Sequence, residues 1–262
     1  GGLVDISALS LGDLSQDISI DAALLALDVT EEAMVSIVGD IQLSAINVHT
    51  LDIASTGHVG MYEGGLVDTD ILMLEGATVD MDMVGGVASL TVVDGVLRAT
   101  DVLTINDLEA TGSFELVSKG ISLAGVIDVA DTISMVADTW TNSSDFVSFS
   151  AQSLEIDIDD VVGGAGNYFL VNVEDITAET NGIYLHDSDG LIVKEMNIYG
   201  DMSLLSDGVL DISENIIVDG NFELSAFGDL RAQAIITSAG QGYICSEEGH
   251  INLSDSVTAE EG

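Results

Sequence analysis

Residues 221–262 read NFELSAFGDLRAQAIITSAGQGYICSEEGHINLSDSVTAEEG, and this stretch decides the fold. Phe222 and Leu224 alternate with polar neighbours, and Leu230, Ala232 and Ala234 do the same. Ile236 follows, then Tyr243 and Cys245 around Ile244, then Ile251 and Leu253. Between these apolar pulses sit Gly228-Asp229, Ser238 to Gly242, Ser246 to Gly249 and Ser254 to Ser256. Short alternation cut by turn formers is the pattern of a half-buried strand. Nothing here sustains the 3.6-residue period of a helix.

The same pulses run outward through the chain. Val35/Ile37, Ile41/Leu43, Ile46/Val48 and Leu51/Ile53 mark the first half. Ile183/Leu185, Leu191/Val193, Met196/Ile198, Met202/Leu204, Leu210/Ile212 and Ile216/Val218 mark the second. Residues 21–34, DAALLALDVTEEAM, have a helix-forming composition, but Leu25, Leu27 and Val29 alternate and predict a strand. Loop chemistry interrupts the pattern near residues 138–146, around Trp140, and near 159–167, where Gly163-Gly-Ala-Gly166-Asn167 reads as a flexible loop.

Short strands without helices or a βα rhythm predict an all-β chain. Sandwich strands are usually longer and more widely spaced. The favoured architecture is therefore a parallel β-helix, a β-solenoid with about three short strands per coil of about twenty residues, in about thirteen coils. A β-sandwich is the alternative. The pulse spacing is similar on both sides of the interruptions, which predicts a single elongated solenoid domain over residues 1–262. The start at Gly1 shows no signal-type segment and reads as an internal or mature piece of a longer chain or filament.

Composition limits the partners. The 262 residues carry 46 Asp and Glu against 4 Lys and Arg, a net charge of −42. Phosphate backbones and anionic lipid surfaces need cations that this chain lacks, which argues against nucleic acid and against a membrane surface. No apolar run reaches the length of a membrane span. An apolar content of 47% supplies ample core, so the acids belong on a solvated surface or around bound cations. Proline is absent, where average usage gives about thirteen. Proline removes a ladder donor, so its absence suits a continuous hydrogen-bonded stack. The single cysteine, Cys245, excludes an intramolecular disulfide framework and reads as a buried thiol.

Gly220-Asn-Phe-Glu-Leu-Ser-Ala-Phe-Gly-Asp229, Gly249-His-Ile-Asn-Leu-Ser-Asp-Ser-Val257 and Ile121-Ser-Leu-Ala-Gly-Val-Ile-Asp128 resemble the degenerate coils of filamentous-haemagglutinin-type adhesins and other large bacterial surface β-helices. The resemblance implies a secreted, non-enzymatic surface or fibre protein.

Several constellations could carry chemistry. Asp187-Ser-Asp189-Gly190 is similar to the start of a calcium loop, although position twelve is Ile198 where an EF-hand has glutamate. Asp157, Asp159 and Asp160 cluster carboxylates, with Asp157 and Asp159 on one face of an extended strand. These five aspartates are the candidate Ca²⁺ ligands; no other cofactor is indicated. The cations Arg98, Lys119, Lys194 and Arg231 are scattered, with Lys194 beside Glu195 as a local pair, and they form no substrate clamp. His49, His58, His186 and His250 have no metal-site spacing, and no P-loop or nucleophile elbow appears. Trp140 and Tyr168 read as loop aromatics that pack back on the coils or stack on a sugar. Asn142-Ser-Ser144 and Asn252-Leu-Ser254 fit the glycosylation sequon.

The expected function is structural: an extracellular module of a surface filament, sheath or adhesin, acidic and cation-binding. Self-association head to tail is expected from open strand edges, with a cell-surface glycan or protein as a further target. A polysaccharide-active β-helix enzyme, a lyase or tailspike-like hydrolase, is the alternative. A calcium-dependent cell-surface layer module is a third reading.

Overall fold

The structure is a computed structural model that describes residues 3–8, 11, 18–20, 24–62, 67–75, 78–84, 86–142 and 148–259. The chain is an all-β parallel β-solenoid of about 12 turns. Every pairing between its described strands is parallel, which excludes the sandwich. No described segment is a helix, and none could cross a membrane as one. Contacts within the chain group into two units. The first comprises residues 1–130 with 142–147, and the second 131–141 with 148–262.

The second unit shows the coil in its simplest form. Strands Met202–Ser206, Leu210–Ile212 and Ile216–Val218 make one turn. Phe222–Ala226, Leu230–Ala232 and Ile236–Ser238 make the next. Gly242–Ser246, Ile251–Leu253 and Val257–Ala259 make the last. Met202 pairs with Phe222 and Phe222 with Gly242; Leu210 pairs with Leu230 and Leu230 with Ile251. Side chains alternate because the strand period is two. Leu204, Leu210, Ile212, Ile216, Leu224, Leu230 and Ile236 are therefore fully buried as stacked columns. Burying each such side chain contributes about 1.5–3 kcal/mol.

In the first unit the strands run through corners instead of stopping at them. Leu24–Ile37 pairs with Ile41–Ser55 along one long ladder, with register shifts at Leu25/Ala26 and between Val29 and Glu32. These bulges let one strand turn while keeping its pairing. The helix-like composition of residues 21–34 yields to tertiary pairing from Leu24 onward, as the alternation of Leu25, Leu27 and Val29 requires.

Strand also extends into both predicted interruptions. Val126–Asn142 carries Thr139, Trp140 and Thr141, which are β-branched or aromatic and suit a pleated surface. Trp140 is buried against Phe149 and Phe169, with ring centroids 6.1 and 4.0 Å away. Residues 143–146 of that interruption, and Ser143 and Ser144 of the first sequon, lie outside the described residues. Ser148–Val162 likewise includes Asp159 and Asp160, so the second interruption narrows to residues 163–168. There Gly164 and Asn167 exchange two backbone hydrogen bonds of 3.1 and 2.8 Å, closing a tight turn. Gly163 precedes this turn and Gly166 lies within it, at φ of 76° and 79°, where a side chain would be strained.

Candidate functional site

The corners are where most described polar side chains find partners. Ser55, Ser118, Thr180 and Ser238 each turn a hydroxyl inward at a bend and donate to a carbonyl of the preceding coil, on Gly39, Asp101, Asp160 and Gly220 respectively. At Ser55, Ser118 and Ser238 the same hydroxyl accepts the N–H of a glycine two residues on: Gly57, Gly120 and Gly240. Gly208 donates to Ser206 in the same way. A buried backbone group must find a partner, and these hydroxyls supply it where the ladder breaks.

Carboxylates serve the same purpose on the outside. Asp40 accepts the N–H of His58, Asp107 that of Val126, Asp201 that of Asn221, and Asp229 that of His250, at 2.8–3.1 Å. Each bond joins a corner to the following coil. Asn221 continues the series by accepting from Gln241 at 2.9 Å. The His250 N–H, followed by Arg231, holds the Asp229 carboxyl below the usual carboxylate range.

The predicted calcium ligands fall on strand Ser148–Val162, at the end of Phe169–Asp187 and in the turn after it. Asp187 is fully buried, and its Oδ2 accepts Val173 N–H at 3.0 Å. Its Oδ1 accepts Asp189 N–H at 3.1 Å and Gly190 N–H at 2.8 Å. The carboxylate folds back on its own turn, and Asp187-Ser-Asp189-Gly190 forms a corner. Burial nonetheless pushes the Asp187 carboxyl up, against those three donors. Asp189 is exposed. Asp157 and Asp159 are exposed on their strand, and Asp160 accepts the N–H of Val161 at 2.8 Å. Register sets Asp157 beside Glu179, a neighbour that sequence spacing does not reveal. Among the described residues no three His, Cys, Asp or Glu side chains converge to hold a metal ion.

The cations are all paired. Arg98 bonds Asp80 at 2.5 Å, Lys119 approaches Asp101 at 3.8 Å and Arg231 meets Asp229 at 3.0 Å. Lys194 pairs with Asp175 of the preceding coil at 3.0 Å, not with its chain neighbour Glu195. Such exposed pairs contribute about 0–1 kcal/mol each. The histidines have partners too: His49 with Asp70, His186 with Asp207, His250 with Asp229, and His58 with Thr78. Tyr168 closes over the sheet face, its hydroxyl 3.0 Å from Ser203 Oγ, which in turn donates to Glu223 at 2.9 Å. Cys245 is half-buried where a buried thiol was expected, because its register partner is Ser225 on the outward face and Ile244 takes the inward position beside Leu224.

No protein-family model, curated protein or solved structure matches this chain. Fold and geometry are therefore the grounds on which a function rests.

Two open depressions mark the surface. One in the first unit is lined by Thr30, Asn47, His49, Asp68 and Asp70. One in the second unit is lined by Glu195, Ser213, Glu214, Asn215, Gln233 and Asp255. In the latter, Asn215 Oδ1 already accepts the N–H of Ile235. Leu230 and Ala232 are 0% and 1% exposed, whereas their register partners Ile251 and Leu253 are 47% and 43% exposed. These two are core positions that no further coil covers among the described residues.

Proposed function

We propose that this chain is a structural β-solenoid module of an extracellular filament, sheath or adhesin, highly acidic and cation-binding, with copies joined end to end. The observation that carries this reading is how the polar side chains are used. Corner hydroxyls, corner carboxylates and all four cations tie coil to coil or hold a turn, and the aliphatic columns fill the interior. Such a scaffold owes its stiffness to its ladder, and its outward acids keep it soluble and attract counter-cations. The likeness of its coils to filamentous-haemagglutinin-type adhesins supports the same reading.

The discriminating experiment incubates the purified chain with a panel of polysaccharides, with and without Ca²⁺, and follows reducing ends and unsaturated products. The structural reading expects no turnover. Depolymerisation of any member of the panel would overturn it in favour of a polysaccharide lyase or hydrolase.

A further inference from the structure

We infer that a strip of tyrosine rings centred on Glu223, on one outward face of the second unit, binds a neutral oligosaccharide. This rests on the adhesin form of the structural reading above and names the target chemistry and the residues that meet it.

Register builds the strip. Tyr184 pairs with Ser203, Ser203 with Glu223 and Glu223 with Tyr243, one position on each of four successive strands. Alternation turns the neighbouring Leu185, Leu204 and Leu224 into the core and this column outward. Strands about 4.8 Å apart separate Tyr184 from Tyr243 by about 14 Å, the reach of a short oligosaccharide. Tyr168 joins from the turn before Phe169–Asp187, its ring 6.3 Å from that of Tyr184 and edge-on to it at 68°. Three of the chain's five tyrosines therefore meet on one face. The coil itself does not require them. The outward column Ile192, Asp211, Arg231 and Asn252 carries no ring at all.

The polar centre of the strip is fixed in advance. The Tyr168 hydroxyl lies 3.0 Å from Ser203 Oγ and 3.5 Å from Glu223 Oε2, and Ser203 donates to that same oxygen at 2.9 Å. Both hydroxyls thus converge on Oε2. Glu223 Oε1 has no hydrogen-bond partner among the described residues. A carboxylate offers about four lone-pair sites, so acceptor capacity remains for further hydroxyls.

A pyranose matches both features. Its C–H face suits the negative face of an aromatic ring, and its hydroxyls donate to the carboxylate. Aromatic walls with a few placed polar groups are the usual make-up of a small-molecule site. The net charge of −42 repels uronates and sialylated chains, which leaves a neutral sugar. A basic peptide also stacks cations on tyrosine. However, 46 acids spread over the chain give such a peptide no reason to choose this strip, whereas the rings and the shared hydroxyls do.

The test immobilises neutral hexose and N-acetylhexosamine oligosaccharides and measures binding of the whole chain in about 0.5 M NaCl, where exposed charges are screened. Saturable binding of at least one member is expected. Tyr184→Ala and Tyr243→Ala should each weaken it about tenfold or more, with circular dichroism and Tm confirming that both variants stay folded. Glu223→Gln keeps one oxygen for Ser203 and replaces the other acceptor by a donor, so it should weaken binding as much. Tyr199→Ala removes a ring outside this column and should leave binding unchanged. Binding of no neutral member, binding indifferent to Tyr243→Ala and Glu223→Gln alike, or binding only of an oligolysine peptide that the salt abolishes would overturn the strip as a glycan site. Cleavage of a bound member would remove the structural reading and leave the strip in place, so the two fail separately.

Discussion

The Ser238 hydroxyl donates to the Gly220 carbonyl, 18 residues earlier and one coil back, at 2.7 Å. It also accepts the Gly240 N–H at 3.1 Å, so one buried hydroxyl satisfies two backbone groups at a corner. Leaving a buried backbone group unpaired costs about 1–3 kcal/mol. Ser238→Ala is therefore expected to lower unfolding free energy by about that amount, read as a reduced denaturant midpoint. Thr237→Ala, one residue away and exposed, should stay within about 0.5 kcal/mol.

Gly208 tests the closeness of the coils. A Cβ there would fall 1.3 Å from the Asp189 carbonyl oxygen of the preceding coil, a contact that only a backbone shift can relieve. Gly208→Ala should cost more than about 2 kcal/mol, as severe strain in a packed site does. At Gly164 an added Cβ meets nothing within 4 Å, so Gly164→Ala should leave the melting temperature near that of the unaltered chain. Equal effects at both positions would contradict the stacking at this corner.

The fold was legible because an inward column demands one apolar residue at every second position, and Leu204, Leu224, Ile212 and Ile216 keep that pattern locally. The three-strand coil was legible for the same reason in residues 202–259. Long strands such as Asp94–Ala110 were not, since one bulge falls at Thr100–Asp101, where no glycine or asparagine in the strand announces it, and pairing continues through the other at Asn106. The corner serines follow a Ser-x-Gly spacing at Ser55, Ser118, Ser206 and Ser238, which is visible once the register is known. The candidate site was less legible. Only the fold reveals that Val173 N–H, 14 residues earlier, points at Asp187. Glu179 becomes the neighbour of Asp157 through a pairing 22 residues long in the chain, which no local pattern encodes.

Asp187 also sets an expected pH dependence. Its carboxyl is raised in the folded state by burial, so the folded chain holds the proton more tightly than the unfolded chain does. The stability from this group is fully present below the unfolded carboxylate pKa, about 3.9, and is lost as pH rises through the folded value. Relief of repulsion among the surface acids acts in the same direction, while Asp229, lowered by His250 N–H and Arg231, acts in the opposite one. Against Asp187→Asn, which has no such proton to bind, the unaltered chain should gain stability as pH falls from 7 toward 4. Paired thermal melts across that range measure it; parallel pH profiles would contradict the role of Asp187.

Asp157 and Glu179 stand side by side on the outward face, and like charges directly opposite on neighbouring strands destabilise a sheet by some tenths of a kcal/mol. The Tyr199 hydroxyl donates to Glu179, and that bond, with the charge behind it, raises the Tyr199 pKa. Glu179→Gln keeps an oxygen to accept that bond and removes the repulsion. The variant is expected to melt higher than the unaltered chain at low salt. Because exposed charges are screened within a Debye length, about 3 Å at 1 M, the gain should vanish in concentrated NaCl. A divalent cation bridging the two carboxylates would reduce the gain at far lower ionic strength. Melts in matched NaCl and CaCl₂ series therefore separate general screening from cation binding at this pair. If Glu179→Gln lowered the melting temperature at every salt, the Tyr199 bond rather than the charge pair would govern this face.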